Sequence, residues 1–330
     1  MLGVGIVGCG LIGHKRAASL GRAKLVACAD VHMAKAEKLA SASTGCRAFS
    51  DYRDLLKCEA VDILIVATLH ESLSEITLAA IQAGKHVLVE KPAARKAAEL
   101  ERVMEAASEA EVKVRVGFNH RYHRALRKAK QLVEAGEIGD LMYLRARYGH
   151  GGRVGYDQEW RADPDLSGGG ELIDQGPHLI DLSRWLLGDI SDVQGFAHTY
   201  YWNMPVDDNG FLLLKTARKQ VAFLHVSCTE WKNIFSMEIY GRIGKLEIAG
   251  LGGSYGVERL AFYKMLPEMG PPETTVWEYP MADDSWKKEF DEFLDDICLN
   301  REPTPTLRDA YEVLKIIETV YEGSGYGHRS

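Results

Sequence analysis

The run Val4-Gly5-Ile6-Val7-Gly8-Cys9-Gly10-Leu11-Ile12-Gly13 constrains this chain more than any other feature. It reads as an apolar strand passing through Gly-x-Gly-x-x-Gly into a helix. Gly8 permits the tight turn, and Gly10 lets a ligand approach the backbone closely. Gly13 lets the helix pack tightly on the strand, whose following amides then face an anion. This order predicts a dinucleotide site contacted by Gly8, Gly10, Leu11, Ile12 and Gly13. Asp30 ends the next apolar run, where a carboxylate can accept both hydroxyls of a ribose. The same carboxylate repels a 2′-phosphate, at about 4 kcal/mol for unit charges ~4 Å apart at an effective dielectric near 20. Val31 and His32 follow, with no adjacent arginine. NAD is therefore expected rather than NADP.

The first 120 residues continue in the same manner. Apolar runs at Leu2–Val7, Leu25–Ala29, Val61–Ala67, His86–Val89 and Val112–Gly117 alternate with helical patterns near 11–20, 33–42, 51–57, 71–83 and 95–110. Nearly continuous Val/Ile/Leu runs are buried on both faces, which predicts a doubly wound parallel sheet. Beyond a helix near 123–135 the pattern changes to alternating segments at 141–149, 192–201, 210–217, 220–229, 234–240 and 243–249. Short turns, such as Arg218-Lys219-Gln220 and Gly241-Arg242-Ile243-Gly244, join several of these segments. They predict one large, mainly antiparallel sheet. Helices at about 284–299 and 306–322 close the chain, and Gly323–Ser330 reads as a frayed tail. The expected fold is α/β plus α+β: a Rossmann domain over 1–120 and a substrate and oligomerisation domain over 121–330.

Composition narrows the function. The 330 residues carry 40 Lys and Arg against 47 Asp and Glu, a formal charge of −7. That balance argues against a broad basic face for nucleic acid or anionic lipid. No apolar run approaches the ~20 residues of a membrane helix, and the first strand begins at once with no charged leader before it. A cytoplasmic protein is expected. Its cysteines, 9, 28, 46, 58, 228 and 298, form no Cys-x-x-Cys pair and read as reduced thiols.

Two clusters outside the glycine turn carry chemistry. Glu90-Lys91-Pro92 follows the strand at His86–Val89, at the edge where parallel sheets bind ligands. A solvated Glu/Lys turn explains the spacing equally well. In Ser167-Gly168-Gly169-Gly170-Glu171-Leu172-Ile173-Asp174-Gln175-Gly176-Pro177-His178, Asp174 and His178 share a face if the helix is continuous. A carboxylate beside an imidazole suits a general base for an alcohol, although Pro177 interrupts the helix. A structural Asp–His pair is the plainer reading. A metal held by Glu171, Asp174 and His178 lacks a second His or Cys at ligand spacing, so no metal is expected.

Taken together, the glycine run, Glu90-Lys91-Pro92, Gly117-Phe118-Asn119-His120-Arg121 and Gly-Gly-Gly-x-Leu-x-Asp-x-Gly-x-His resemble the Gfo/Idh/MocA oxidoreductases. The resemblance runs in order along nearly the whole chain. It implies NAD(P)-linked interconversion of a secondary alcohol and a ketone on a sugar or cyclitol. It also implies catalytic roles for Lys91, Asp174 and His178 and a cis bond before Pro92. Cofactor contacts would come from Thr68, Glu90, Lys91, Asn119, Trp160 and Arg161, and substrate contacts from Lys91, Arg161, Asp174 and His178. Thr68-Leu69-His70 departs from the family's usual Thr-Pro-Asn, and Leu73 stands where a histidine is frequent.

Glu230-Trp231-Lys232-Asn233 and Glu268-Met269-Gly270-Pro271-Pro272-Glu273 resemble a subgroup that oxidises the 3-hydroxyl of UDP-N-acetylhexosamines such as UDP-N-acetylglucosamine. Arg145, Arg147, Arg153 and Arg161 could then meet its diphosphate. The alternatives are a myo-inositol 2-dehydrogenase, a free-sugar or sugar-phosphate dehydrogenase, and a non-catalytic NAD-binding regulator. Retention of Lys91, Asp174 and His178 argues against the regulator. Apolar residues within Phe211–Leu214 and Phe223–Val226 predict an open sheet face covered in a homodimer or homotetramer.

Overall fold

In the computed structural model, which describes residues 1–326, the early apolar runs become one parallel sheet. Its strands are β1 (Gly3–Val7), β2 (Lys24–Ala29), β3 (Arg47–Phe49), β4 (Ile63–Val66), β5 (His86–Glu90) and β6 (Val114–Gly117). Between them run α1 (Leu11–Ala17), α2 (Met33–Ala40), α3 (Tyr52–Leu56), α4 (His70–Gln82) and α5 (Ala97–Glu109). The order β3-β2-β1-β4-β5-β6 reverses direction between β1 and β4, which makes the turns after these two strands the ligand edge of the sheet. Only β3 escapes the sequence pattern. It is three residues long, Arg-Ala-Phe, and has no apolar run to mark it.

The second half supplies α6 (Arg124–Glu134), β7 (Leu141–Gly149), α7 (Pro164–Ser167), α8 (Glu171–Asp174) and α9 (Gly176–Leu187). The strands β8 (Ile190–His198), β9 (Asn209–Thr216), β10 (Val221–Ser227), β11 (Ile234–Gly241), β12 (Gly244–Ala249), β13 (Glu258–Lys264) and β14 (Glu273–Tyr279) follow. With β7 they form an eight-stranded sheet, β14-β13-β12-β11-β7-β10-β9-β8. Every pair in it is antiparallel except β7 with β10. The sequence pattern ends at 249 and does not predict β13 and β14; β14 is a mostly exposed edge strand with no buried alternation.

Two helices end the chain, α10 (Ser285–Cys298) and α11 (Leu307–Gly323). The chain divides into two compact units, Met1–Phe118 with Trp286–Leu314, and Asn119–Ser285 with Lys315–Ser330. A single border at 120 therefore captures the first passage of the chain but not its return. The cause is apolar: Phe290, Phe293 and Leu294 of α10 enter the core of Val4, Ile6, Leu25, Ile63, Ile65 and Leu88. Each such side chain contributes about 1.5–3 kcal/mol by leaving water.

The expected frayed tail is corrected in part. Ser324 Oγ accepts the Ala197 N–H at 2.9 Å and Tyr326 OH meets Thr199 Oγ1 at 2.9 Å. Residues 324–326 are thus tied down beside β8, and 327–330 lie outside the described residues. On the open sheet face Phe196, Leu213 and Phe223 are exposed, whereas Leu212, Leu214, Leu224 and Val226 point into the core. The described cysteines are all free thiols. Among the described residues, no helix is long and apolar enough to cross a membrane.

Candidate functional site

In the first unit the candidate residues gather at the carboxyl edge of the parallel sheet. Gly8 follows β1 with φ +94, and a Cβ there would lie 2.3 Å from the Ala67 carbonyl oxygen. The glycine thus lets the turns after β1 and β4 touch, which brings Thr68 beside the glycine run. A Cβ on Gly13 would lie 2.1 Å from Gly8 O, so α1 can start only where it does. Gly10 faces open space instead. Its own packing does not demand glycine, which fits a position reserved for close approach by a ligand.

Asp30 directly follows β2 and ties two turns together: one carboxylate oxygen accepts the Cys9 N–H and the other the His32 N–H, both at 2.9 Å. Each oxygen keeps acceptor capacity for a ribose hydroxyl. Leu11 is exposed and Ile12 half-buried at the start of α1. Thr68 Oγ1 accepts from Ser72 Oγ at 2.9 Å. Leu73, at the position of the absent histidine, is wholly buried core.

Glu90 has a structural part to play. Its carboxylate binds Arg16 Nε at 2.5 Å, and Arg16 Nη1 binds Glu289 at 2.5 Å. Arg16, Glu90 and Glu289 are all buried. Lys91 follows, half-buried, and the Lys91–Pro92 bond is cis.

In the second unit the segment from Gly170 to Leu187 departs from one continuous helix. α8 stops at Asp174, Gln175 breaks the run, and α9 restarts with Pro177 in its first turn. Proline is well placed there because a first-turn N–H has no helical partner to lose. Asp174 and His178 therefore sit on two short helices. The Asp174 carboxylate accepts from Arg161 Nε at 2.8 Å, and this pairing pushes the Arg161 guanidinium pKa up. His178 is buried and stacks on the His120 ring, with centroids 3.6 Å apart.

Around them lie Glu171, with Tyr156 OH at 3.4 Å and His150 Nε2 at 3.7 Å. His150 Nδ1 accepts the Gly152 N–H at 2.9 Å, so Nε2 carries the proton that points at Glu171. Burial lowers the His150 pKa against the pull of Asp174. Asn119 donates to Ser285 Oγ at 3.1 Å, and the Arg161 guanidinium lies over the Trp160 ring at 4.6 Å. No group of three metal-ligating side chains forms among the described residues. Three of the arginines expected to meet a diphosphate are in ion pairs: Arg145 with Glu238 at 2.7 Å, Arg153 with Glu159 at 2.7 Å, and Arg161 with Asp174.

Asp207, which no sequence motif marks, organises α8. It accepts from Leu172 N at 2.7 Å, Gly170 N at 2.9 Å and Tyr321 OH at 2.7 Å. A Cβ on Gly170 would lie 1.9 Å from Asp207 O, so the glycine run exists partly to admit this strand end. Burial outweighs those three hydrogen bonds and raises the Asp207 carboxyl to about 6. An unfolded Asp titrates near ~3.9. Between about pH 4 and 6 the folded chain therefore keeps a proton that the unfolded chain has released. Stability from this residue is present below that window and declines as pH rises through it, by about 3 kcal/mol. Denaturant unfolding between pH 4.5 and 7 should show a flatter pH dependence for Asp207→Asn than for the parent. Equal slopes would refute the assignment.

Fold and site together define a dinucleotide-binding α/β protein with an appended sheet domain that carries an acid–base cluster. Residues 2–118 match the NAD-binding Rossmann fold of the Gfo/Idh/MocA oxidoreductase family, and 126–247 match that family's C-terminal domain. The chain belongs to the Gfo/Idh/MocA family, and the dinucleotide of its first domain is NAD. It is 31% identical over 179 residues to levoglucosan dehydrogenase of Pseudarthrobacter phenanthrenivorans, covering 51% of this chain and 44% of the relative. It is 32% identical over 203 residues to inositol 2-dehydrogenase 2 of Saccharopolyspora erythraea, covering 60% and 57%. The chain thus spans about half the length of these curated relatives. A solved levoglucosan dehydrogenase in complex with NADH and levoglucosan superposes with a TM-score of 0.88 at 22% identity, covering 99% of this chain and 98% of that one. This last likeness concerns the fold.

Proposed function

We propose that this protein is an NAD-dependent dehydrogenase oxidising a secondary hydroxyl of a sugar or cyclitol to a ketone. The observation that carries the proposal is the retention, within this family's two domains, of Lys91 at the ligand edge of the parallel sheet and of the Asp174 and His178 pair. When bound, NAD supplies the hydride acceptor. Lys91 holds the reacting hydroxyl and stabilises the developing alkoxide, an electrostatic role that strengthens where water is excluded. His178 takes the hydroxyl proton, and Asp174, held by Arg161, stabilises the resulting positive charge. Lys91 as the base itself is the competing assignment, because a neighbouring positive nicotinamide favours the neutral amine.

The substrate class rests on the relatives, which are named for levoglucosan and inositol. A small uncharged polyol also suits the ion-paired state of Arg145, Arg153 and Arg161, which already have carboxylate partners. The 3-hydroxyl of a UDP-N-acetylhexosamine is the competing substrate, supported by the Glu230–Asn233 and Glu268–Glu273 segments. NADH formation should be followed with levoglucosan, myo-inositol, free glucose, a sugar phosphate and UDP-N-acetylglucosamine. A ketone trap is needed, because alcohol oxidation by NAD runs uphill near neutral pH. Turnover of the UDP-sugar alone would overturn the polyol reading. A homodimer or homotetramer through the face bearing Phe196, Leu213 and Phe223 belongs to the same proposal, and a monomer mass by sedimentation would remove it.

Asp30 sets the cofactor preference in this reading. NAD should bind more tightly than NADP by roughly two orders of magnitude, from carboxylate–phosphate repulsion. Asp30→Ala should narrow the gap in calorimetric titrations of both cofactors. Tighter NADP binding by the parent would sink the idea.

A further inference from the structure

We infer that His120 is a positioning residue for His178, fixing the plane of its ring and limiting the stacked pair to one proton at a time; this rests on the reading of His178 as the base. The two rings lie face to face, centroids 3.6 Å apart and planes within 15°. Both are buried. Their backbones are locked together by the fork that Arg121 Nε and Nη2 make to Asp181, at 2.8 and 2.6 Å. That fork joins the residue after His120 to the turn after His178 on α9. Around the stack, His120 meets Tyr148 at 5.1 Å, His123 at 5.4 Å and Phe235 at 6.1 Å, each edge to face. Tyr148 also meets His178 edge to face at 6.1 Å. Neither ring can turn without displacing a neighbour.

The charges facing the pair are accounted for by their own partners. His123 Nδ1 lies 2.6 Å from Glu258 and 3.8 Å from Asp283. Tyr148 stands beside Tyr255, Asp174 and Glu171. Asp174 is bound by Arg161, and Glu171 faces His150. These carboxylates tolerate one positive charge in the stack. Two imidazolium rings in van der Waals contact repel strongly in a buried setting. The pair therefore titrates as a unit. When His120 is neutral, His178 can take the hydroxyl proton and the pair carries its one charge; when His120 is protonated, His178 is held neutral and cannot accept a second proton. His120 thus lowers and broadens the titration of His178.

The test is an NMR titration of the full chain with ring-labelled histidines, comparing the parent with His120→Phe and His120→Asn. Phenylalanine keeps a stacked ring and removes the proton site; asparagine removes both. In each variant His178 should titrate in a single step, its midpoint raised by about one pH unit. The low-pH limb of kcat/KM should change from the joint titration of the pair to the single ionisation of His178. Plateau kcat should stay within about threefold for His120→Phe and fall about tenfold for His120→Asn with KM little changed, since only the second loses ring orientation. A His178 midpoint unmoved in both variants would overturn the inference. The titration needs no substrate. Failure of the parent to oxidise any polyol would therefore remove the functional reading while leaving this coupling to be judged by itself.

Discussion

Lys91→Ala and His178→Ala should each reduce turnover by about 10²–10⁴-fold, the usual range for a positioned acid–base group. The two losses are expected to differ in kind. His178 lies in the second unit, within the cluster of Asp174, Tyr148 and His120, and should leave NAD affinity nearly unchanged when removed. Lys91 follows β5 at the ligand edge, where the resemblance also gives it a cofactor contact, so its loss should weaken NAD as well as slow the chemistry. Asp174→Asn should be damaging for a reason the structure adds. It removes the nearer charged partner of Arg161, whose Nε lies 2.8 Å from the carboxylate, and leaves that guanidinium the longer pairing with Glu159 at 3.6 Å. Single-turnover NADH formation and equilibrium NAD titrations on each variant separate these effects. Near-normal turnover by folded His178→Ala would take the histidine out of the base role and promote Lys91.

The residues behind this prediction were unequally legible. Val4–Gly13 and Asp30 could be read because their constraints are local: a strand, a turn and a helix in immediate succession, then one carboxylate at the next strand end. The parallel strands declared themselves as apolar runs, and β3 did not, having three residues and no run. Asp174 and His178 stand in a motif, and their four-residue spacing leaves open a shared helical face that the break at Gln175 and Pro177 removes.

What stayed illegible depends on pairing between distant segments. Asp207 reaches α8 from the start of β9, and Tyr321 reaches it from α11. His120 meets His178 across the same two segments that Arg121 and Asp181 join. Single-sequence periodicity has no access to such pairings: Asn119-His120-Arg121 and His178 are visible in motifs, but which of them meet is not. The adjacent pair Asp207-Asp208 is fully buried, which the sequence alone does not mark.

The return of α10 to the first unit carries the second large effect. Glu289→Ala should destabilise that unit by about 3–5 kcal/mol, the range for removing one partner of a buried ion pair. Arg16 is 1% exposed and lies between Glu90 and Glu289, so deleting Glu289 leaves a charge in the core with half its compensation. Burial, opposed by Arg16, raises the Glu289 pKa, with Glu90 adding repulsion. The site thus tolerates Glu289 only because the arginine is there, and Glu289→Gln, which keeps a hydrogen-bonding oxygen, should be milder. Trp286 offers the probe: its ring lies 4.4 Å from the Arg16 guanidinium carbon within the same unit. Denaturant titrations followed by its fluorescence, with Phe290→Ala as a packing control, should place Glu289→Ala well below the parent. A change under about 1 kcal/mol would mean that water or a shifted Glu90 compensates Arg16. The expected loss would instead tie the Glu90-Lys91-Pro92 turn to a helix about 200 residues downstream, and so explain why this α/β domain is closed by the far end of its own chain.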